Sequence, residues 1–108
     1  MQGLSKKNIF VSYTTIDYEI NKNTLIDIEK ILIKYGKVYI DLLHNNNVSN
    51  PQKKVFEELY NSNILIVINT SNINKSKWAI LELENAKKRN IQILFLSVTE
   101  ILTEHFQI

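Results

Sequence analysis

Cysteine is absent from this 108-residue chain, so disulfides and thiolate metal sites are excluded. Its two histidines, His44 and His105, lie far apart without helical ligand spacing, and no metal site is expected from them. Proline occurs once and glycine twice, which leaves polar caps and asparagines to mark most element ends. No apolar run approaches the ~20 residues that cross a bilayer, and the opening MQGLSKKNIFVSY lacks an apolar core of signal-peptide length. A cytoplasmic protein with no membrane partner is the expectation. An excess of one charge is missing too. The 13 basic and 11 acidic residues leave a net charge of +2, with no dense basic run beyond Lys87-Lys88-Arg89, so a nucleic-acid partner is not expected.

What is present is an ordinary globular composition, 44% hydrophobic and 22% charged, in a chain long enough for one core and one domain, residues 1–108. Four short runs rich in β-branched and aromatic residues stand out: NIFVS (8–12), VYID (38–41), ILIVIN (64–69) and IQILFL (91–96). Runs apolar throughout, without strict alternation, suit strands covered on both faces of a parallel sheet. Stretches with helical spacing separate them. The first helix is expected from Asp17 or Asn23 to Tyr35, with Gly36 as its stop. The second starts at Ser49-Asn50-Pro51 and ends near Asn61. The third is capped by Ser76 and closes at Arg89-Asn90, and the tail from Val98 forms a short helix. The β-α-β-α-β-α-β order and right-handed crossovers predict an α/β, flavodoxin-like three-layer sandwich with a small parallel sheet in strand order 2-1-3-4.

Ligands of such sheets sit outside the carboxyl ends of the strands, beside the point where the order reverses. Here that rim comprises Ser12-Tyr13-Thr14, Asp41 with the loop LLHNNNVSN, and Thr70-Ser71 with the loop leading to Trp78. In SKWAILELE (76–84), at about 100° per residue, Ala79, Leu83 and Ala86 face the sheet while Glu84 and Lys88 face water. Trp78 and Glu82 fall together on the margin between core and solvent, near the start of the helix, where its dipole favours a carboxylate. Phe10 reads as a core residue, Asp17 and Asp41 as turn or cap residues, and His44 as solvated in a polar loop.

The stretch Phe10-Val11-Ser12-Tyr13-Thr14-Thr15-Ile16-Asp17 resembles the FISYSxxD opening of Toll/interleukin-1 receptor (TIR) and TIR-like domains. Val38-Tyr39-Ile40-Asp41 resembles their second strand with its terminal aspartate, and ILIVINTS their third with its trailing serine. Ser76-Lys77-Trp78-Ala79-Ile80-Leu81-Glu82 resembles the S-x-W-x-x-x-E segment, and IQILFLSV the fourth strand. These matches run in order over residues 7–98, and the chain has the size of the minimal prokaryotic members. The resemblance implies one of two activities, assembly through TIR to TIR contacts or cleavage of NAD between nicotinamide and ribose. In the NAD-cleaving type, a glycohydrolase or cyclase of prokaryotic defence or signalling, Glu82 would be the catalytic carboxylate. Phe10, Tyr13, Asp41, Leu43 and Trp78 would contact the substrate. NAD is then substrate, with no cofactor or metal, and self-association or a separate sensor protein is the implied partner.

One departure from the family is the loop Leu42 to Asn50, which has no glycine and three consecutive asparagines; asparagine tolerates left-handed backbone and partly replaces glycine. The fourth strand is followed by little chain where fuller TIR domains add another strand and helix. Competing readings are a non-enzymatic TIR-like adaptor, a receiver-type domain and a nucleoside deoxyribosyltransferase. The receiver reading needs adjacent acidic residues after the first strand, where Ser12-Tyr13 stand, and the full polar set of the transferase is not found.

Overall fold

The computed structural model describes residues 7–45 and 50–108. Asn46 to Ser49, with two of the three loop asparagines, lie outside the described residues. The strands are β1 (Lys7–Ser12), β2 (Gly36–Ile40), β3 (Ile64–Ile68) and β4 (Gln92–Leu96). They form one all-parallel sheet in the order β2-β1-β3-β4. Helices α1 (Lys22–Leu32), α2 (Asp41–His44), α3 (Pro51–Tyr60), α4 (Lys77–Lys88) and α5 (Val98–Leu102) connect and flank it. This is the flavodoxin-like arrangement expected from the spacing of apolar runs.

Side-chain alternation along the strands divides the core in two. Ile9, Val11, Ile64, Ile66 and Ile68 turn to one face, where Leu25, Ile28 and Leu32 of α1 and Ile101 of α5 cover them. Phe10, Leu65 and Val67 turn to the other, under Val55 and Leu59 of α3 and Ala79 and Ala86 of α4. All five residues of β3 are buried, as a central strand covered by helices requires. Ser12 lies on the α4 face by the same alternation as Phe10, one step beyond the last apolar residue of β1.

The element ends follow local chemistry. Asn21, Asn50, Ser76 and Ser97 each accept a backbone N–H from the first turn of the helix they precede. Ser97 forms a reciprocal capping box with Glu100. Helix α4 ends in a Schellman motif. The Ile91 N–H donates to Ala86 O and the Asn90 N–H to Lys87 O, with Asn90 at φ 57° where glycine is more usual. Glu104, also at φ 57°, closes α5 similarly, and its carboxylate is held by Lys34 Nζ at 2.8 Å and the Tyr35 hydroxyl at 2.6 Å.

Four expectations are corrected. Helix α1 starts at Lys22, capped by Asn21 and within one residue of the later expected start, but it ends at Leu32 rather than Tyr35. Gly36 is no left-handed stop; it opens β2 with negative φ. Asp17 caps nothing. Buried, it accepts from the Asn72 N–H at 3.0 Å and from Asn72 Nδ2 at 2.7 Å, tying the β1–α1 loop to the β3–α4 loop, and the Thr70 hydroxyl with these Asn72 donors holds its carboxyl below the ordinary range. Finally, Asp41 to His44 form α2 where a loop was expected.

The glycine at position 36 answers to space. A Cβ built there would lie 2.1 Å from the carbonyl oxygen of Lys7, a backbone atom of the neighbouring strand. Gly36→Ala is therefore expected to lower stability by about 3 kcal/mol, with β1 and β2 forced apart. Urea unfolding with a midpoint unchanged from the parent would contradict this account.

Candidate functional site

At the carboxyl ends of β1 and β2, on the α3/α4 side of the sheet, lies a cavity of about 430 Å³. Its lining includes Tyr13, Thr14 and Thr15 after β1, Asp41, Leu42 and Asn45 of the α2 turn, Pro51, Gln52 and Val55 of α3, and Ser76, Trp78 and Glu82 of α4. The strand order reverses between β1 and β3, so this is the place where parallel sheets of this kind leave a crevice.

Glu82 is its chemical centre. Ala79, Glu82 and Ala86 are the buried residues of α4 and share its sheet-facing side. The two alanines bring the helix close to the sheet, and Glu82 meets the end of β1. There Ser12 Oγ, itself buried, donates to Glu82 Oε1 at 2.7 Å. Oε2 has no hydrogen-bond partner among the described residues. The carboxyl is only 7% exposed, and this desolvation raises its pKa from 4.5 to about 7. The Ser12 hydrogen bond opposes the rise and the negative charge of Asp41 adds to it. A group poised near neutrality in a cavity wall can exchange a proton or present a weakly solvated negative charge.

The α2 turn frames the opposite side. Asp41 Oδ1 accepts from the Tyr39 hydroxyl at 3.0 Å and from Asn45 Nδ2 at 2.7 Å. The Leu42 N–H donates to the Tyr13 hydroxyl at 2.9 Å. Burial, with Asp41 and Glu82 nearby, pushes the Tyr13 phenol up to about 12 despite that bond. Burial and the bond to Asp41 likewise push the Tyr39 phenol upward. Both remain neutral donors and acceptors at physiological pH. Asn45 Oδ1 is buried without a hydrogen-bond partner among the described residues, beside the Nδ2 that serves Asp41 and the Pro51 carbonyl.

Of the residues singled out from sequence, Tyr13, Asp41, Trp78 and Glu82 line this cavity. Trp78 is 44% exposed and flanks α3, its ring 6.0 Å from that of Phe56. Phe10 and Leu43 are not part of the lining. Phe10 is buried beneath α3 and α4, 5.2 Å from the Tyr39 ring, and Leu43 packs toward the α1/α5 core. Glu82 is corrected from a marginal to a buried position. His44 is also corrected from its solvated reading. Half-buried, it accepts the Ile40 N–H on Nδ1 at 2.9 Å and meets Glu29 through Nε2, so its Nε2 carries the proton and the ring anchors α2 to α1.

Ser12 was placed on the rim without a role, although strand parity was the signal that it shares the face of Phe10. Asn45 falls within the loop expected on the rim, whereas Thr15 and Gln52 carried no signal of their own; only the fold brings them to the cavity. Among the described residues, no group of three or more histidine and carboxylate side chains could hold a metal, and no helix is long and apolar enough to cross a membrane. No family model matches the chain, and no curated protein matches it.

The raised pKa of Glu82 makes stability depend on pH. Between pH 4.5 and about 7 the folded protein keeps a proton that the unfolded chain has released. Stability is therefore full below that window and falls through it as pH rises, by about 3 kcal/mol. Glu82→Gln removes this loss while keeping an acceptor for Ser12. The variant is expected to match the parent near pH 4.5 and to exceed it by about 2–3 kcal/mol above pH 7. Ser12→Ala should move the Glu82 midpoint further upward, read by carboxyl carbon NMR titration. A flat stability difference between pH 4.5 and 8 would overturn this reading of the carboxyl.

Proposed function

We propose that this cavity is the site of an NAD-cleaving TIR-like enzyme, a glycohydrolase or cyclase, with Glu82 as the catalytic carboxylate. The observation that carries the reading is Glu82 itself: a buried carboxyl with one oxygen held by Ser12 and the other without a partner among the described residues, in the wall of a cavity flanked by Tyr13 and Trp78. The motif residues Tyr13, Asp41, Trp78 and Glu82 come from three separate stretches and meet there, as the resemblance to the family requires. The volume, about 430 Å³, lies in the range of small-molecule sites.

In the proposed reaction the bond between the ribose C1′ and the nicotinamide nitrogen breaks. Its electron pair returns to the ring nitrogen, which is cationic in NAD, so nicotinamide leaves neutral and needs no general acid. This relieves the site of the second carboxyl that glycoside hydrolases use to protonate an oxygen leaving group. The ribose is left as an oxocarbenium-like cation, and the ionised Glu82 stabilises it from a position fixed in advance by Ser12. Water then bonds to C1′ and releases a proton, giving ADP-ribose; attack by the substrate's own adenine nitrogen gives a cyclic product instead. Tyr13 and Trp78 offer aromatic faces for the leaving ring or the adenine. The paired negative charges of Asp41 and Glu82 favour entry of the cationic end of NAD, and the approach of that cation favours the ionised form of Glu82.

The test is NAD consumption by the purified protein at several high concentrations, with nicotinamide and ADP-ribose species separated by chromatography. Turnover is expected to rise with pH through about 7, where Glu82 ionises, and to level off above. Glu82→Gln is expected to lower it by at least about 100-fold without unfolding the protein. Asp41→Asn removes a charge that raises the Glu82 pKa, so the midpoint of the pH profile should move down. No turnover at any concentration would favour the non-enzymatic adaptor.

A further inference from the structure

The free edge of β4 is unusual for a sheet of this size. Its sequence, QILFL, contains no charged residue, proline or glycine, which are the usual means by which edge strands avoid pairing with other chains. Phe95 is 54% exposed. The Gln92 N–H donates to Asn63 O and Leu96 O accepts from the Asn69 N–H, so residues 92, 94 and 96 turn their backbone groups toward β3. By the alternation of a parallel ladder, Ile93 and Phe95 turn theirs away. No hydrogen bond reaches those groups from any described residue. The other edge differs: β2 carries the exposed Lys37.

The flank of α4 above this edge is apolar as well. Trp78 and Asn85 face α3, through the Phe56 ring and the Tyr60 hydroxyl. At about 100° per residue, Ile80 and Lys87 lie on the opposite flank, toward β4. Ile80 is 40% exposed, and Ile93 and Phe95 share that face of the sheet, in register with the buried Leu65 and Val67.

We infer that β4 is a self-association edge, pairing antiparallel with β4 of a second copy about a two-fold axis through Leu94, so that the two sheets become one. In this register Ile93 of each copy exchanges its outward N–H and C=O with Phe95 of the other, and Leu94 lies opposite Leu94. The Phe95 ring of each copy covers Ile93 of its mate, so apolar meets apolar along the strand. The axis stands perpendicular to the sheet and sets the two α4 helices antiparallel on the same side. The self-complementarity of the strand about Leu94, with an apolar residue on either side of it, selects a second copy over a foreign strand. The inference is independent of the reading of the cavity.

The test uses the purified 108-residue chain. Sedimentation equilibrium from low to high micromolar concentration should show a dimer, and Phe95→Lys should weaken it at least about 30-fold while the circular dichroism spectrum is kept. The chain has no cysteine, so Leu94→Cys introduces a lone thiol at the axis. Directly opposed residues of that type lie about 4.5 Å apart at Cα, within disulfide reach, and rapid oxidation to a covalent dimer is expected. Phe95→Cys, displaced from its own symmetry mate, should cross-link far more slowly. A protein that stays monomeric, a dimer indifferent to Phe95→Lys, or faster cross-linking at position 95 than at 94 would each overturn the inference.

Discussion

The hydrogen bond from Ser12 to Glu82 joins the last residue of β1 to the middle of α4, and the cavity depends on it. A carboxyl placed in the interface between helix and sheet carries a large desolvation cost unless it is neutral or well bonded. Here one hydroxyl supplies one bond, and the proton supplies much of the rest. Ala79 and Ala86, one turn to either side, keep α4 low on the sheet, so the carboxyl is buried in the wall of the cavity. Replacing either alanine by a larger residue would lift the helix and hydrate Glu82 without touching it.

The other wall of the cavity is rigid for a different reason. The turn after β2 has no glycine, and its described part is instead cross-tied by polar side chains. Asp41 gathers Tyr39 and Asn45, the Leu42 N–H meets Tyr13, and His44 is bonded to Ile40 and Glu29. The ties reach β2, the segment after β1 and α1, so these three together set the position of Asp41 relative to Glu82. That matters because the Asp41 charge acts on Glu82 through space. A site held this way exchanges stability for a poised group, as functional sites commonly do.

The fold was legible because its strands are buried on both faces and its helices start at strong polar caps. ILIVI has no alternation to misread, and Ser76 and Asn50-Pro51 announce helices by side-chain chemistry alone. The burial of Glu82 was harder to read. Its angular position lies between those of Ala86 and Trp78, and charge argued for the solvent side; only the short reach from a helix lying on alanines shows that the sheet side wins. Gly36 was misread because its need is a contact with Lys7, far away in sequence. Phe10 belongs to the core because strand parity and the close Tyr39 ring outweigh its place in a motif. The side-chain roles of Asp17, read as a turn or cap residue, and His44, read as solvated, were hidden because their partners, Asn72 and Glu29, become neighbours only after folding.

Helix α4 answers to three neighbours at once, and this links the two ends of the molecule. Its sheet side holds Ala79, Glu82 and Ala86; its α3 side holds Trp78 and Asn85; its outer flank, with Ile80 and Lys87, overhangs the open edge of β4. A contact made on the outer flank presses on a helix whose height above the sheet sets the hydration of Glu82. A displacement of a few tenths of an ångström would lengthen the Ser12 bond and admit water, and both change the proton affinity of the carboxyl. The cavity's carboxyl and the apolar flank beside β4 are thus carried by one and the same helix.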